Sequence, residues 1–152
     1  MLNHTKGNLL DLAEAGEFDI VVQGCNCFCT MGGGIAREIR ERYPMCAEID
    51  RLTESGERMK LGNWTEFDSG KFIIINAYTQ YNMSQGTDVF EYTAFQLILE
   101  KLVHVYGTQR IGLPYIGMGL AGGDAKWIVP MIEQFAKNVT NRGGTATLVE
   151  FG

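Results

Sequence analysis

The chain has 152 residues, 45% of them hydrophobic, and a formal net charge of -5 at pH 7. Its length predicts one compact domain over residues 1–152, and its acidity argues against a basic face that grips long nucleic acid. No stretch approaches the roughly 18 apolar residues that a membrane span needs, and the first residues lack the apolar core of a signal peptide. We therefore expect a cytoplasmic monomer that binds neither long nucleic acid nor a membrane.

Strand-like and helix-like segments alternate along the chain. Strands are predicted at residues 18–23, within 63–79 as a pair joined at 68–70, at 110–114 and at 145–151. Helices are predicted at residues 35–42, 45–54, 88–106 and 125–138. Pro44 separates the first two helices, and Asp88 is the predicted N-cap of the third. Strands separated by helices of this length predict a mixed sheet with helices on both faces.

Two glycine-rich segments, residues 31–34 and 117–124, each lie between a predicted strand and a predicted helix. Glycine reaches positive φ and lets a ligand approach the backbone, so consecutive amides can form an anion-binding nest at a helix N-terminus. Two such turns can bind two phosphates. The pattern therefore indicates a diphosphate-containing ligand, beyond the carboxyl ends of the strands.

The second glycine segment matches the letters of the dinucleotide motif G-x-G-x-x-G through Gly117, Gly119 and Gly122. That motif also needs an acidic residue about 20 positions on, at the end of the next strand. Glu133 lies inside the predicted helix, and Glu150 is too far along the chain. A P-loop needs Lys followed by Ser or Thr after the last glycine, which neither segment has. Both alternatives are therefore disfavoured.

The four cysteines are Cys25, Cys27, Cys29 and Cys46. The first three alternate, so an extended chain would place them on one side, but their spacing is not that of a zinc site and no second ligand pair follows. A cysteine phosphatase would need a loop that ends in Arg around its thiolate, whereas Arg37 lies inside the predicted helix. We expect small buried thiols, no metal and no cofactor.

Two stretches follow an ordered pattern: Gln23-Gly24-Cys25-Asn26 with residues 31–36, and residues 113–120 with Gly122 and Asp124. The first resembles the strand, Asn, glycine loop and helix signature of the macrodomains, which bind ADP-ribose. The second is similar to their second phosphate loop, most closely in the branch that processes ADP-ribose 1''-phosphate or removes ADP-ribose from acidic side chains. The resemblance covers nearly the whole chain and implies a three-layer α/β/α macrodomain-like fold with a mixed central sheet.

The resemblance also implies which residues hold ADP-ribose. Backbone amides of residues 117–122 would wrap the diphosphate, and residues 32–34 would pass close to its other side and to the distal ribose. Phe151 would stack on adenine or its ribose, and a terminal core Phe is the alternative. The implied substrate-binding residues are Asn8, Leu9, Gly32, Gly33, Gly34, Ile35, Ile116, Gly117, Met118, Gly119, Leu120, Ala121, Gly122 and Phe151.

Residues 7–9 match the segment in which the family places an acidic residue against the adenine amino group. Asn8 stands at the acidic position. Its side-chain oxygen can accept the same hydrogen bond but carries no charge. A nearby carboxylate, Asp11 or Asp19, is the alternative partner for the amino group.

Two residues are predicted to be catalytic. Asp124, at the edge of the second glycine segment, can orient or deprotonate water or assist the leaving group at the distal ribose, and it is equally a good N-cap for the following helix. Asn26 would hydrogen-bond that ribose, and the alternative is a strand-end turn residue. Residues 74–78 contain no Lys to match the lysine nucleophile of one family branch. We expect direct attack by water that Asp124 and Asn26 orient.

Two functions follow from the resemblance. The first is a hydrolase that acts on an ADP-ribose derivative, either as an ADP-ribose 1''-phosphate phosphatase or on an ester-linked ADP-ribosyl group. Its ligands would be ADP-ribose or ADP-ribose 1''-phosphate, with an ADP-ribosylated protein as a further partner. The second is a non-catalytic module that binds ADP-ribose or a related NAD metabolite.

Overall fold

The computed structural model describes residues 1–31, 34–82, 90–118 and 122–151. In chain order the elements are β1 (Leu2–Lys6), α1 (Leu9–Glu14), β2 (Ile20–Cys25), α2 (Gly34–Arg42), α3 (Pro44–Arg51), a 3₁₀ turn (Arg58–Lys60), β3 (Trp64–Asp68), β4 (Ile73–Tyr78), α4 (Tyr92–Tyr106), β5 (Arg110–Leu113), α5 (Ala125–Asn141) and β6 (Thr145–Glu150).

Within the described ranges the strands form one sheet, in the order β1-β6-β5-β2-β4-β3. Neighbouring strands are parallel except for β3 and β4, which are antiparallel. The predicted mixed sheet is therefore confirmed.

The two faces of the sheet bury separate cores, because alternate residues of a strand point to opposite faces. In β2, Ile20 and Val22 belong to the core that α4 and α5 cover. Val21 and Cys25 belong to the core that α1, α2 and α3 cover. Helices thus pack on both faces, and the predicted three-layer α/β/α arrangement is confirmed.

The predicted pair of strands within residues 63–79 is the antiparallel pair β3 and β4. At the turn between them, Asp68 Oδ1 accepts a hydrogen bond from Gly70 N at 2.8 Å, and Gly70 has a φ of +93°. Asp and Gly are the residues that such a turn favours, because Asp bonds its own backbone and Gly reaches positive φ. The turn at residues 68–70 is therefore as predicted.

The N-terminal elements and the start of α4 differ from the predictions. β1 and α1 are not among the predicted elements, since β1 is an edge strand with mostly exposed residues and α1 has only 6 residues. α4 begins at Tyr92 with Glu91 as its N-cap, whereas the predicted N-cap, Asp88, lies outside the described residues. Phe90 is buried and forms a β-bridge with Gln80, so the backbone is still extended there.

The carboxyl ends of the parallel strands meet at one edge of the sheet, where ligands of open α/β sheets bind. Residues predicted to bind ligand follow four of these strands, β1, β2, β5 and β6; they lie in segments 8–9, 26–35, 116–124 and 151.

In the part of the chain that the structure describes, no helix has both the length and the apolar character that a membrane span needs.

Candidate ligand-binding site

A cavity of about 400 Å³ opens at the carboxyl edge of the sheet. It lies between the ends of β1, β5 and β6 and the first turns of α2. Most of its lining is apolar, as is usual for pockets that bind small molecules. The lining residues are Gly7, Asn8, Leu9, Gly34, Ile35, Glu38, Pro114, Tyr115, Val149 and Phe151.

Five of the predicted substrate-binding residues meet in this cavity although they come from three distant parts of the chain. They are Asn8, Leu9, Gly34, Ile35 and Phe151. Phe151 is 79% exposed, so it is not the core residue of the alternative interpretation. Its ring and that of Tyr115, which is 40% exposed, are free to contact a ligand in the cavity.

Asn8 holds the first turn of α1 and also reaches across to α2. Its Oδ1 accepts a hydrogen bond from Asp11 N at 2.9 Å, which makes Asn8 the N-cap of α1. Its Nδ2 donates to Glu38 Oε1 at 2.8 Å. The side-chain amide is therefore engaged at both ends.

Glu38 lines the cavity and is not among the residues predicted from the sequence. Its Oε1 lies 2.8 Å from Arg42 Nη2, and the same guanidinium nitrogen lies 2.8 Å from Asp11 Oδ1. Glu38 and Arg42 have the i,i+4 spacing that brings helix side chains together, which is the signal the sequence offers. The contact with Asn8 joins residues 30 positions apart, so no local pattern indicates it.

Asp19 lies at the opposite edge of the sheet and does not provide a carboxylate to this cavity. It precedes β2, and its Oδ1 lies 2.9 Å from Nη2 of Arg110, the first residue of β5. Hydrogen bonds from the Arg110 side chain hold the pKa of Asp19 below its usual value. Asp11, the other alternative, pairs with Arg42.

Asn26 follows β2 and shapes the turn toward the first glycine segment. Its Oδ1 accepts a hydrogen bond from Phe28 N at 2.8 Å, and its Nδ2 donates to Thr30 Oγ1 at 2.7 Å and to Thr30 O at 3.4 Å. These bonds match the turn-residue interpretation of Asn26. Gly34 begins α2 with a φ of +57°, and the space around its missing Cβ is open.

The conformation and packing of the second glycine segment depend on Gly117. Gly117 has a φ of +75°, and a Cβ at this position would lie 2.4 Å from Cδ1 of the buried Phe90. Gly123 N donates a hydrogen bond to Gly117 O at 2.7 Å and closes the loop, and Gly122 has a φ of +72°. The loop therefore needs glycine for its backbone conformation and for its packing on Phe90.

Ile116 and Met118 flank Gly117 and pack toward the core. Ile116 is 3% exposed, and Met118 packs partly buried against the core beneath α4 and α5. Neither residue is among those that line the cavity. Five predicted residues lie outside the described ranges: Gly32, Gly33, Gly119, Leu120 and Ala121.

Asp124 is exposed and is the N-cap of α5. Its Oδ1 accepts a hydrogen bond from Lys126 N at 2.9 Å, and its own backbone N donates to the Tyr92 hydroxyl at 3.0 Å. The geometry matches the N-cap interpretation. Among the described residues no donor engages Oδ2, and none of their hydrogen bonds joins Asp124 to Asn26.

The cysteines are all free, and Cys25, Cys27 and Cys46 are buried as predicted, while Cys29 is half-buried. Burial raises the pKa of Cys25 and Cys27, and it raises that of Cys46 to about 11. These three thiols are therefore protonated at neutral pH. No three His, Cys, Asp or Glu side chains within the described residues are grouped to hold a metal ion.

A comparison with known proteins adds a relative of similar length. No protein-family model matches the chain. An uncharacterized 17.5 kDa protein from the tk-vs intergenic region of Enterobacteria phage T4 is 28% identical, in an alignment that covers 91% of this chain and 92% of that protein.

Solved structures with a similar fold include two macrodomains. The macrodomain of Mycobacterium tuberculosis DarG superposes with a TM-score of 0.75 at 19% identity, over 99% of this chain and 97% of that one. A Trypanosoma brucei macrodomain in complex with ADP-ribose superposes with a TM-score of 0.71 at 12% identity, over 99% of this chain and 63% of that one. These superpositions confirm the predicted architecture: the chain has the macrodomain fold.

Proposed function

We propose that this protein binds ADP-ribose at the carboxyl edge of its sheet and hydrolyses an ADP-ribose derivative. The observation that carries the proposal is the cavity of about 400 Å³ in which Asn8, Leu9, Gly34, Ile35 and Phe151 meet. A macrodomain of the same fold was solved in complex with ADP-ribose, which supports this choice of ligand.

The base and its ribose would occupy the apolar part of the cavity. Leu9, Ile35 and Val149 provide aliphatic walls, and the exposed rings of Phe151 and Tyr115 provide surfaces for stacking. Aromatic rings bind flat heterocycles well, because both partners lose apolar surface to water and stack with favourable geometry. This end of the site would therefore contribute most of the apolar binding energy.

The diphosphate would lie between the two glycine segments. α2 begins at Gly34 and α5 at Ala125, so two helix N-termini with partly unsatisfied N–H groups face the same edge of the sheet. Such N-termini attract anions through the aligned peptide dipoles and the free amides. The net charge of -5 does not oppose this, because the attraction is local.

In the hydrolase proposal, Asp124 accepts a proton from the attacking water. With ADP-ribose 1''-phosphate as substrate, the water oxygen attacks phosphorus, the bond from phosphorus to the ribose oxygen breaks, that oxygen takes up the proton, and inorganic phosphate and ADP-ribose are released. Asp124 Oδ1 caps α5, which fixes the carboxylate and leaves Oδ2 for the water. With an ester-linked ADP-ribosyl group, the same water would attack the ester carbonyl carbon, the bond from that carbon to the ribose oxygen would break, and a free carboxylate and ADP-ribose would be released.

A binding module without turnover is the second candidate. One observation favours it: the described hydrogen bonds of Asp124 and Asn26 serve the N-cap of α5 and the turn after β2. Both residues would then be needed for the shape of the site and not for chemistry. The two candidates predict the same affinity for ADP-ribose but different rates of product release.

The test compares the wild-type protein with Asp124→Asn, because Asn is as good an N-cap as Asp but cannot act as a base. We expect calorimetry to give similar ADP-ribose affinities for both proteins. Release of phosphate from ADP-ribose 1''-phosphate, or of ADP-ribose from a glutamate-linked protein, should be about 10²-fold slower or worse in the variant.

The possible results separate the candidates. Wild-type protein that binds ADP-ribose and turns over neither substrate is the binding module. Turnover that survives in Asp124→Asn at the wild-type rate removes Asp124 from the chemistry. Protein that fails to bind ADP-ribose but binds NADH tightly contradicts the whole proposal and returns attention to the dinucleotide motif at residues 117–122.

A further inference from the structure

One feature of the cavity goes beyond general binding: its described lining contains one fixed carboxylate. Among the described residues that line it, Glu38 is the one that carries a charge, and its side chain is 29% exposed. Around it the lining is largely apolar. A half-buried carboxylate in such a wall needs a donor, because an unpartnered charged acceptor away from water is costly.

The carboxylate of Glu38 is held from one side only. Asn8 Nδ2 and Arg42 Nη2 both approach Oε1, each at 2.8 Å. Asp11 holds the same Arg42 nitrogen at 2.8 Å, which fixes the guanidinium. Within the described ranges no donor engages Oε2. Glu38 is thus an oriented carboxylate with one acceptor oxygen left for a ligand.

Asn8 is less suited than Glu38 to accept a hydrogen bond from a ligand. Its Oδ1 accepts the hydrogen bond that caps α1, and its Nδ2 is occupied by Glu38. A ligand that took over either atom would compete with a contact that already stabilises the protein. Glu38 Oε2 makes no such contact with any described residue.

We infer that Glu38 selects the base of the ligand, by accepting at Oε2 a hydrogen bond from an exocyclic amino group such as that of adenine. This inference rests on the proposed binding of ADP-ribose. Hypoxanthine carries a carbonyl oxygen where adenine carries the amino group, so its oxygen would face the carboxylate and be repelled. Asn8 and Arg42 are positioning residues, since they act on the base only through Glu38.

The charge of the acceptor sets the size of the effect. A hydrogen bond to a charged group contributes more than one between neutral groups. On that basis the wild-type protein should bind ADP-ribose about tenfold to hundredfold more tightly than its inosine analogue, inosine diphosphate ribose.

Glu38→Gln should reverse the preference and not merely weaken it. Arg42 and Asn8 both donate to the Oε1 position, so the amide oxygen of Gln takes that position and its NH₂ group takes the place of Oε2. Two N–H groups would then face the base. They oppose the amino group of adenine and complement the carbonyl of hypoxanthine.

The experiment is calorimetry of wild type, Glu38→Gln and Glu41→Gln with ADP-ribose and inosine diphosphate ribose. Glu41 lies on the same helix, is exposed and pairs with Arg37, and it does not line the cavity, so its variant should keep the wild-type ratio. Preference for ADP-ribose in wild type and for the inosine analogue in Glu38→Gln supports the inference.

Other outcomes contradict it in distinguishable ways. Equal affinity of wild type for both ligands overturns the role of Glu38 and leaves the proposed function intact. An equal loss of affinity for both ligands in a Glu38→Gln protein with a wild-type circular dichroism spectrum also overturns it. Failure of wild type to bind either ligand overturns the proposed function as well. If Glu38→Gln does not fold, the ratio measured on wild type still decides.

Discussion

In the proposed site, the end assigned to the base is held by side-chain contacts, whereas the end assigned to the diphosphate depends on a glycine of the second glycine segment. At the base end, Asn8, Glu38, Arg42 and Asp11 form a chain of hydrogen bonds and ion pairs between α1 and α2. At the phosphate end, the shape of the second loop depends on Gly117 and its packing on Phe90. The comparison suggests that base preference can change through single side chains, whereas the phosphate end resists substitution.

The largest effect is expected for Gly117→Ala. The new Cβ would lie 2.4 Å from the ring of Phe90, which is 3% exposed and cannot move aside. The φ of +75° costs Ala about 1–2 kcal/mol, and overpacking adds about 1–3 kcal/mol. Urea unfolding should show a loss of this order in the free energy of unfolding, and calorimetry a loss of ADP-ribose binding.

Gly143→Ala is the matched control for that prediction. Gly143 has a φ of +94°, but nothing lies within 4 Å of its missing Cβ. Gly143→Ala should therefore lose only the free energy that the positive φ costs, and it should keep normal ADP-ribose affinity. Equal destabilisation by the two substitutions would mean that the contact with Phe90 does not hold the loop.

A smaller effect is expected for Phe151→Ala at the base end. The side chain is 79% exposed and lines the cavity, so its removal should leave the free energy of unfolding almost unchanged. Stacking of one base on an aromatic ring is worth about 1–3 kcal/mol, so ADP-ribose affinity should fall about tenfold. Calorimetry measures this, and Leu52→Ala, which removes another exposed apolar side chain, is the control. A large loss of stability in Phe151→Ala would mean that the residue is structural.

The smallest effect is expected at the opposite edge of the sheet, for Asp19→Asn. Arg110 lowers the pKa of Asp19 in the folded protein, so the pair stabilises the fold above the unfolded-state pKa, and that contribution is lost as pH falls through the folded-state pKa. The variant should be slightly less stable at pH 7, and the difference should shrink as the solution is acidified below about pH 4.

Urea unfolding at several pH values measures this difference, with Glu48→Gln, at another exposed ion pair, as the control. ADP-ribose affinity should stay unchanged in both variants, because neither residue lines the cavity. A loss of affinity in Asp19→Asn would show that the two edges of the sheet are coupled. A constant difference across the pH range would contradict the role of the ion pair with Arg110.

The parts of this molecule that could be predicted from the sequence are those with local signals. Apolar periodicity marks β2, α2, α4 and α5, and Asp-Ser-Gly marks the turn between β3 and β4. The glycine segments point to the carboxyl edge, and Asn8 and Phe151 do meet there in one cavity. β1 has no such signal, because it is an outermost strand of the sheet and its exposed residues need not be apolar.

Glu38 could not be predicted, because its place in the cavity wall involves a contact with a residue 30 positions away. Its pairing with Arg42 is a common pattern on exposed helices and does not indicate a site. The position of Asp19 was open to prediction: it precedes a parallel strand, whereas ligand-binding residues follow the strands. α4 begins later than local propensity predicts, because the bridge between the buried Phe90 and Gln80 keeps the backbone extended.

The N-cap of α1 is also part of the wall of the cavity, and this links a local folding equilibrium to occupancy of the cleft. A helix of 6 residues has little stability of its own, since nucleation costs more than a few hydrogen bonds return. α1 therefore depends on the burial of Leu9, Leu10 and Ala13 and on its N-cap Asn8, which Glu38 holds in place. A ligand that fixes Glu38 would suppress the opening of α1, so amide exchange in this helix would report on a base bound beside it.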